Sequence, residues 1–230
     1  MQASYRQFCP VAMAAEILGT RWTIVLIREL VAGSTRFNDL RRGLPRMSPA
    51  LLSRRLKELE IAGIVEKTAA AADRSSHEYR LTEAGRDLKA VIESIGIWGQ
   101  RWVRTDLALD NLDPNLLMWD MRRNLKPSPL PSVRNVVEFH YTDLPSSQEY
   151  WWLIVEPDGE VDICSVDPGF EVELYVRTTL RTMTSIWMGF STVATERKTE
   201  CLVLEGDPGL AKNMQTWLGL SHFASEKKRI

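Results

Sequence analysis

The stretch SPALLSRRLKELEIAGIV, residues 48–65, predicts an amphipathic helix with a defined beginning and end. Ser48 is of a type that caps helix N-termini, Pro49 suits a first helical turn, and Gly63 lies just beyond the expected end. At about 100° per residue, one side of the helix carries leucine. The leucines are Leu52, Leu56 and Leu59. This pattern predicts that the leucine side packs on a core and that the opposite side faces outward.

The outward side combines small residues near the N-terminus with cations further along. Ala50, Arg54 and Lys57 lie opposite the leucines, Leu51 and Ser53 lie at the flanks, and Ser48 lies at the cap. Small side chains permit close approach to base edges in a DNA major groove, and Arg54 can donate two hydrogen bonds to guanine. Taken alone, the helix fits a solvated amphipathic helix better than a DNA-binding one.

The order of the neighbouring segments favours DNA binding. TRFNDLRRGLP predicts a short preceding helix, which Arg36 opens and GLPRM ends, so that the two helices form a helix-turn-helix. GIVEKTA and SHEYRLT, joined by the polar loop AAADRSS, predict a two-stranded wing with Arg74 near its tip. Arg36 and Arg74 therefore join the predicted DNA contacts. TEAGRDLKAVIESIGIWGQRWV predicts a long helix with an apolar stripe.

The net charge of −1 hides an asymmetry between the two halves of the chain. Residues 1–105 carry 17 Lys and Arg against 11 Asp and Glu, whereas residues 106–230 carry 12 against 19. A basic half joined to an acidic half indicates that only the first half meets a polyanion. Two ordinary domains with different surfaces would show the same asymmetry.

Several blocks in the first half resemble the HxlR-type winged helix-turn-helix transcription regulators. These blocks are CPVAMAAEILGTRWTIVLIREL, RFNDLRRGLPRMSPALLSRRLKELEIAGIVEK, YRLTEAGRDL and WG, within residues 8–103. The resemblance implies a homodimeric bacterial regulator of transcription that reads an inverted repeat in double-stranded DNA. Its recognition helix would be residues 49–61 and its wing residues 64–81. Repression is the expected mode, although the sequence does not fix the sign of regulation.

The resemblance also implies that the helices at residues 10–18 and 83–103 pack across the dimer. The predicted interface residues on the long helix are Leu88, Ile92, Ile95, Trp98 and Trp102. The same stripe would serve equally as core within one chain.

Cys9 precedes the helix that begins at Pro10, and a thiol at a helix N-terminus feels a dipole that favours the thiolate. Some regulators that resemble this chain use such a cysteine to sense oxidants or electrophiles, so Cys9 is a candidate redox sensor. The alternative is a small, partly buried apolar residue.

The second half predicts an α+β domain of strands and short helices. Residues 108–132 are expected to connect it, as a helix and a proline-rich linker, to a first domain at residues 1–107. The predicted second domain is residues 133–230. Within it, about residues 133–222 resemble the sterol-carrier-protein-like fold in the order of a strand, TTLRTMTSIWMG, a short helix and CLVLEGDPGLAKNM. The resemblance implies a sheet packed on helices that often enclose an apolar tunnel. Candidate residues of a pocket for an apolar effector are Phe139, Tyr141, Trp152, Met183 and Trp187, which could equally fill a solid core.

No catalytic, metal-binding or cofactor-binding motif accompanies these patterns. The histidines have no partners at metal-ligand spacing, and no nucleophile elbow or phosphate-cradling glycine loop is present. We therefore expect no enzyme activity, no cofactor, no metal and, without a membrane-spanning run or a signal pattern, a cytoplasmic protein. One rival is a carrier of lipid or other hydrophobic molecules whose winged helix binds protein rather than DNA. The other is an enzyme built on the second domain.

Overall fold

The computed structural model describes residues 4–69, 77–104, 109 and 111–230 and divides into two compact units, residues 1–96 and 97–230. Each unit contains its own apolar core. The boundary that the sequence placed after residue 107 stays a prediction. Among the described residues, no single helix is both long and apolar enough to cross a membrane. The helices Pro10–Leu18 and Thr23–Val31 are long and apolar enough to do so only when taken together, and the angle between them is 85°.

The first unit is mainly helical and carries a small antiparallel sheet. Its elements are α1 (Pro10–Leu18), α2 (Thr23–Val31), α3 (Phe37–Gly43), α4 (Pro49–Ile61), β1 (Val65–Ala69), β2 (His77–Leu81) and α5 (Glu83–Trp102), the last of which continues into the second unit. The strands pair from Val65 with Leu81 to Ala69 with His77. A single bridge between Arg36 and Glu78 attaches the start of α3 to β2. This is the helix-turn-helix and wing order that the sequence predicts.

Apolar side chains from every helix and both strands of this unit contribute to its core, to which α1 adds only the partly buried Leu18. The most buried are Leu26 and Ile27 of α2, Leu40 of α3, and Leu52, Leu56 and Leu59 of α4. Leu44 and Met47, both 3% exposed, anchor the turn between α3 and α4 in the same core. The turn is therefore held by apolar burial on both sides, which fixes how α4 leaves α3.

A buried carboxylate holds the end of α3 against α2. Glu29 of α2 is fully buried, and its side chain lies 2.8 Å from Arg28 Nη2 and accepts a hydrogen bond from Ser34 Oγ. A Cβ atom at Gly43 would lie 1.9 Å from the Glu29 carboxylate, so a larger residue at the last position of α3 would have to displace that buried side chain. A buried charge is stable only when paired and hydrogen-bonded, and these contacts supply that environment.

The described part of the second unit is α+β, with five strands, one helix before them and further helices between and after the last two strands. Its elements are α6 (Pro114–Asn124), β3 (Asn135–Tyr141), β4 (Tyr150–Val155), β5 (Val161–Cys164), β6 (Leu174–Thr178), α7 (Leu180–Trp187), α8 (Val193–Lys198), β7 (Leu202–Gly206) and α9 (Pro208–Trp217). The strand order is β5-β4-β3-β6-β7, and only the β3–β6 pair is parallel. The predicted α+β class is thereby confirmed.

Strand alternation gives this sheet two unlike faces. Val137, Phe139 and Tyr141 of β3 point to a large core that also contains residues of α6, α7 and α9. Val136 and Trp152 belong to a separate small cluster on the opposite face. The helix within the predicted linker contributes Leu117, Met118 and Met121 to the large core. That helix is thus built into the second unit and is not a free connection.

The C-terminal segment binds the end of α5 inside the second unit. Arg101 forms an ion pair of 2.6 Å with Glu226, and the Arg229 N–H donates to the Arg101 carbonyl at 3.0 Å. Gln100, which is 5% exposed, donates from Nε2 to the Met188 carbonyl at 2.9 Å. These long-range contacts assign the last turn of α5 to the second unit.

Gly85 of α5 tests the packing of the first unit, and Gly99 of the same helix provides the control. A Cβ at Gly85 would lie 2.2 Å from the Ile64 carbonyl oxygen, whereas no described atom lies within 4 Å of a Cβ at Gly99. Gly85→Ala should lower stability by about 1–3 kcal/mol because the backbone has to move apart. Gly99→Ala should raise stability by about 0.5–1 kcal/mol because alanine favours the helix. Thermal unfolding followed by circular dichroism measures both shifts, and a Gly85→Ala midpoint at or above the parent value would contradict the packing.

Candidate DNA-binding surface

The start of α4 is fixed by a side-chain cap and a proline. The Ser48 Oγ accepts a hydrogen bond from the Leu51 N–H at 3.3 Å, and Ser48 has an extended backbone conformation. Pro49 occupies the first helical turn, where its missing N–H costs nothing. The helix therefore begins where the sequence predicts, and its N-terminal residues have a defined orientation.

Burial of the leucine stripe determines which side of α4 faces solvent. Leu52, Leu56 and Leu59 are at most 2% exposed. The predicted contact positions Ser48, Ala50, Ser53, Arg54 and Lys57 are all exposed. Leu51 is half-buried and packs against the core, so it flanks the outward side and is not fully on it. The structure thus brings five of these six positions together on one open surface.

Arg54 and Arg55 differ in role although they are adjacent. Arg54 is 71% exposed and lies 3.0 Å from Glu58 across one helical turn. Arg55 is only 12% exposed, pairs with the same Glu58, and donates from Nε to the Arg21 carbonyl at 3.2 Å. Arg55 therefore fastens α4 to the unit. An exposed ion pair contributes only about 0.2–1 kcal/mol, so Arg54 can exchange Glu58 for another acceptor at small cost.

Glu58 remains charged beside these arginines. Partial burial acts to raise the pKa of Glu58, but hydrogen bonds and charge from Arg55 and Arg54 outweigh burial and lower that pKa below its ordinary value. Above that lowered pKa the carboxylate helps to hold both guanidinium groups in place. Lys57 is similarly paired with Glu60, at 3.0 Å.

Arg36 is the remaining predicted DNA contact that the structure describes. Arg36 is 60% exposed at the start of α3, and its Nε lies 3.9 Å from Glu78 of β2. That carboxylate also lies 2.6 Å from Arg80. Arg36 therefore links the start of α3 to the wing. Arg74 lies outside the described residues.

Sequence reasoning missed a further group of cations around the turn of the helix-turn-helix. Arg41 and Arg42 end α3 and Arg46 lies in the turn, and all three are exposed. Arg42 pairs with Asp39 at 3.6 Å. The signal was present in LRRGLPR, where three arginines flank the glycine and proline that stop α3. Such cations beside a recognition helix are suited to phosphate contacts, which position a protein on DNA.

The predicted dimer residues divide into two groups along α5. Ile92 is 6% exposed and Leu88 packs partly against the core of the first unit. Ile95, Trp98 and Trp102 are 42%, 62% and 44% exposed. The first two therefore stabilise the chain's own fold, and the last three remain open to a partner. Cys9 is half-buried at the N-cap position of α1, and its redox role stays a prediction.

The predicted pocket residues do not meet in one place. Phe139, Tyr141, Met183 and Trp187 are at most 4% exposed and lie in the large core of the second unit. Trp152 lies in the small cluster on the other face of the sheet. Successive residues of a strand point to opposite faces, so Trp151 and not Trp152 joins the large core. Among the residues that the structure describes, no group of three or more His, Cys, Asp and Glu side chains could hold a metal ion.

Comparison with known proteins shows which family this chain is similar to. Residues 17–107 match the model of the HxlR-like helix-turn-helix family. The HTH-type transcriptional regulator Rv3095 of Mycobacterium tuberculosis is 35% identical over 141 residues, which cover 54% of this chain and 87% of that protein. The HTH-type transcriptional regulator YvaP of Bacillus subtilis is 35% identical over 98 residues, which cover 42% of this chain and 91% of that protein.

A solved structure is also similar to part of the chain. The crystal structure of quinone-bound YodB from Bacillus subtilis shares 36% identity, covers 40% of this chain and 97% of that chain, and has a TM-score of 0.35. The match to the family model spans the helix-turn-helix and both described wing strands. The chain belongs to the HxlR-like helix-turn-helix family of transcriptional regulators.

Proposed function

We propose that this regulator reads an inverted-repeat operator as a homodimer, with the N-terminal half of α4 in the DNA major groove. The observation that carries the proposal is the outward side of α4, where the exposed Ala50 and Ser53 precede the exposed Arg54 and Lys57. Small residues allow the helix to enter a groove, and Arg54 is placed to read a base. Arg41, Arg42 and Arg46 would contact phosphate, as would Arg36 and Arg74. Repression is the proposed mode of regulation.

Exposed apolar side chains support a homodimer. None of the described residues of α1 is buried, and its Val11 and Met13 are 75% and 57% exposed. An apolar helix that the described residues leave largely exposed gains free energy when a partner removes it from water. Trp98 and Trp102 of α5 are large aromatic residues of the kind that dominate interfaces. Two copies of the chain would place two recognition helices about one helical turn of DNA apart.

The second unit is proposed to be of sterol-carrier type and to bind an apolar effector. Its strand and helix order and its single large core on one face of the sheet support this. The effector would lie among Phe139, Tyr141, Met183 and Trp187, where the flexible Met183 can adjust to a guest. The proposal includes neither an enzyme activity nor a cofactor, and it places the protein in the cytoplasm with its DNA.

Footprinting across bacterial genomic DNA tests the main proposal and its effector together. The purified protein is expected to protect a limited set of sites with inverted symmetry, and addition of a lipid extract should change their occupancy. A ligand regulates only if it binds DNA-competent and DNA-incompetent states differently. Protection spread evenly over the DNA would contradict the proposal that the protein reads an operator. Site occupancy that the extract leaves unchanged would contradict the proposal that an apolar effector regulates it.

Arg54→Ala tests whether this arginine reads a base. The substitution should cost about 1–3 kcal/mol of binding free energy at one base position and relax preference there, because a bidentate contact to guanine is lost. Affinities for a panel of single-base operator variants measure this. Arg197→Ala removes an exposed arginine of α8 and serves as the control. It is expected to leave the affinities for all operator variants unchanged. A uniform loss over all sequences would identify Arg54 as a phosphate contact instead.

Trp98→Ala tests the dimer. Truncation of a central aromatic at an interface typically costs about 2 kcal/mol or more, so the dimer dissociation constant should rise at least about thirtyfold. Sedimentation equilibrium of the full chain measures it. Tyr175→Ala is the matched control, because Tyr175 is a 46% exposed aromatic on β6. A dimer of parent strength in Trp98→Ala, or a monomeric parent, would contradict the proposed interface.

A further inference from the structure

A groove of about 410 Å³ lies along the edge of β2 in the first unit. Elements from three parts of the unit form its walls, namely the end of α2, the two wing strands and the first turns of α5. The lining residues are Leu30, Val31, Thr35, Glu66, Tyr79, Arg80, Leu81, Arg86 and Lys89. The positions proposed for base reading on α4 are absent from this set, so the groove is a separate feature.

The floor of the groove is apolar. Leu30 is 6% exposed, and Val31, Tyr79 and Leu81 are half-buried and pack against the core of the unit. Burial raises the pKa of the Tyr79 phenol, and the charge of Glu60 adds to the rise, so the hydroxyl stays protonated at neutral pH. An apolar ring or chain laid on this floor would remove hydrocarbon surface from water.

The rim of the groove is cationic. Arg80, Arg86 and Lys89 line it together with one carboxylate, Glu66, and all four are exposed. Arg80 is bound to Glu78 at 2.6 Å. Arg86 instead donates to the neutral Leu81 carbonyl at 3.0 Å, a contact that orients its guanidinium group without cancelling its charge. Lys89 lies 3.8 Å from Glu93, a distance at the limit of an ion pair.

The backbone of β2 adds a hydrogen-bond donor along the same edge. The Tyr79 N–H donates to the Thr35 carbonyl at 2.8 Å, away from β1, and the Thr82 N–H donates to the Ile64 carbonyl at 3.0 Å. Alternate residues of an antiparallel strand direct their N–H and C=O groups to the same side. The Leu81 N–H therefore points to the open edge of β2, toward the groove.

We propose that this groove binds a small amphipathic monoanion, an aromatic or aliphatic carboxylate. Its apolar body lies on Leu30, Val31 and Leu81, and its carboxylate meets Arg86 and Lys89. Charge-assisted hydrogen bonds to a carboxylate are stronger than neutral ones, and Arg86 presents a planar donor pair that matches a carboxylate. Glu66 disfavours a second negative charge on the ligand. The volume suits a molecule of one or two rings.

Isothermal titration of the full chain with naphthalene-2-carboxylate tests the site. Saturable binding is expected, and naphthalene-2-carboxamide, which has the same rings without the charge, should bind at least about tenfold more weakly. Arg86→Gln combined with Lys89→Gln should weaken binding of the anion by a similar factor or more. Lys212→Gln removes one exposed lysine of α9 and should leave binding unchanged.

A second measurement keeps the test independent of how the double variant folds. In the parent protein, the Leu81 amide resonance should shift on titration together with those of Val31 and Arg86. Absence of saturable binding, equal affinity for acid and amide, equal affinity of parent and folded double variant, or shifts confined to the second unit would each overturn the proposal. Binding is measured without DNA, so failure of operator recognition would not affect the result.

Discussion

Burial of three leucines on one side of α4 fixes the outward side of the helix. Full burial of a leucine side chain contributes about 1.5–3 kcal/mol, and Leu52, Leu56 and Leu59 are all at most 2% exposed. Rotating α4 by half a turn would expose these leucines and bury Arg54 and Lys57. The arrangement of cations on the surface is thus a consequence of core packing, and the proposed contact with DNA depends on it.

The two units bury their apolar surface in different ways. In the first, a buried carboxylate at Glu29 and a glycine at Gly43 set the end of α3, from which the turn and α4 follow. In the second, a mixed sheet packs one face against helices, while the other face carries a small cluster with Trp152. The helix α5 contributes Ile92 to the first core and exposes Trp98 beyond it.

The sequence predicted the features that depend on interactions between residues close together in the chain. The Ser48 cap and the leucine spacing of α4 were readable in the sequence, because each depends on neighbours within a few positions. The sequence did not predict which face of the sheet carries Trp152. The sequence of β4, YWWLIV, is apolar on both faces, so it has no alternation of polar and apolar residues that would distinguish them. Contacts such as that of Arg101 with Glu226 join residues 125 positions apart, and no local sequence pattern predicts such a contact. The groove beside β2 likewise arises only when α2, β2 and α5 come together.

The dependence of DNA affinity on salt tests most directly whether the cationic side of this helix-turn-helix lies against a duplex. Each phosphate contact made by a cation adds about −0.9 to the slope of log affinity against log salt concentration. If Lys57 and the arginines around the turn meet phosphates as proposed, affinity for the footprinted operator should fall steeply, by about a hundredfold or more between 50 and 200 mM salt. Weak binding that changes little over the same range would contradict the account.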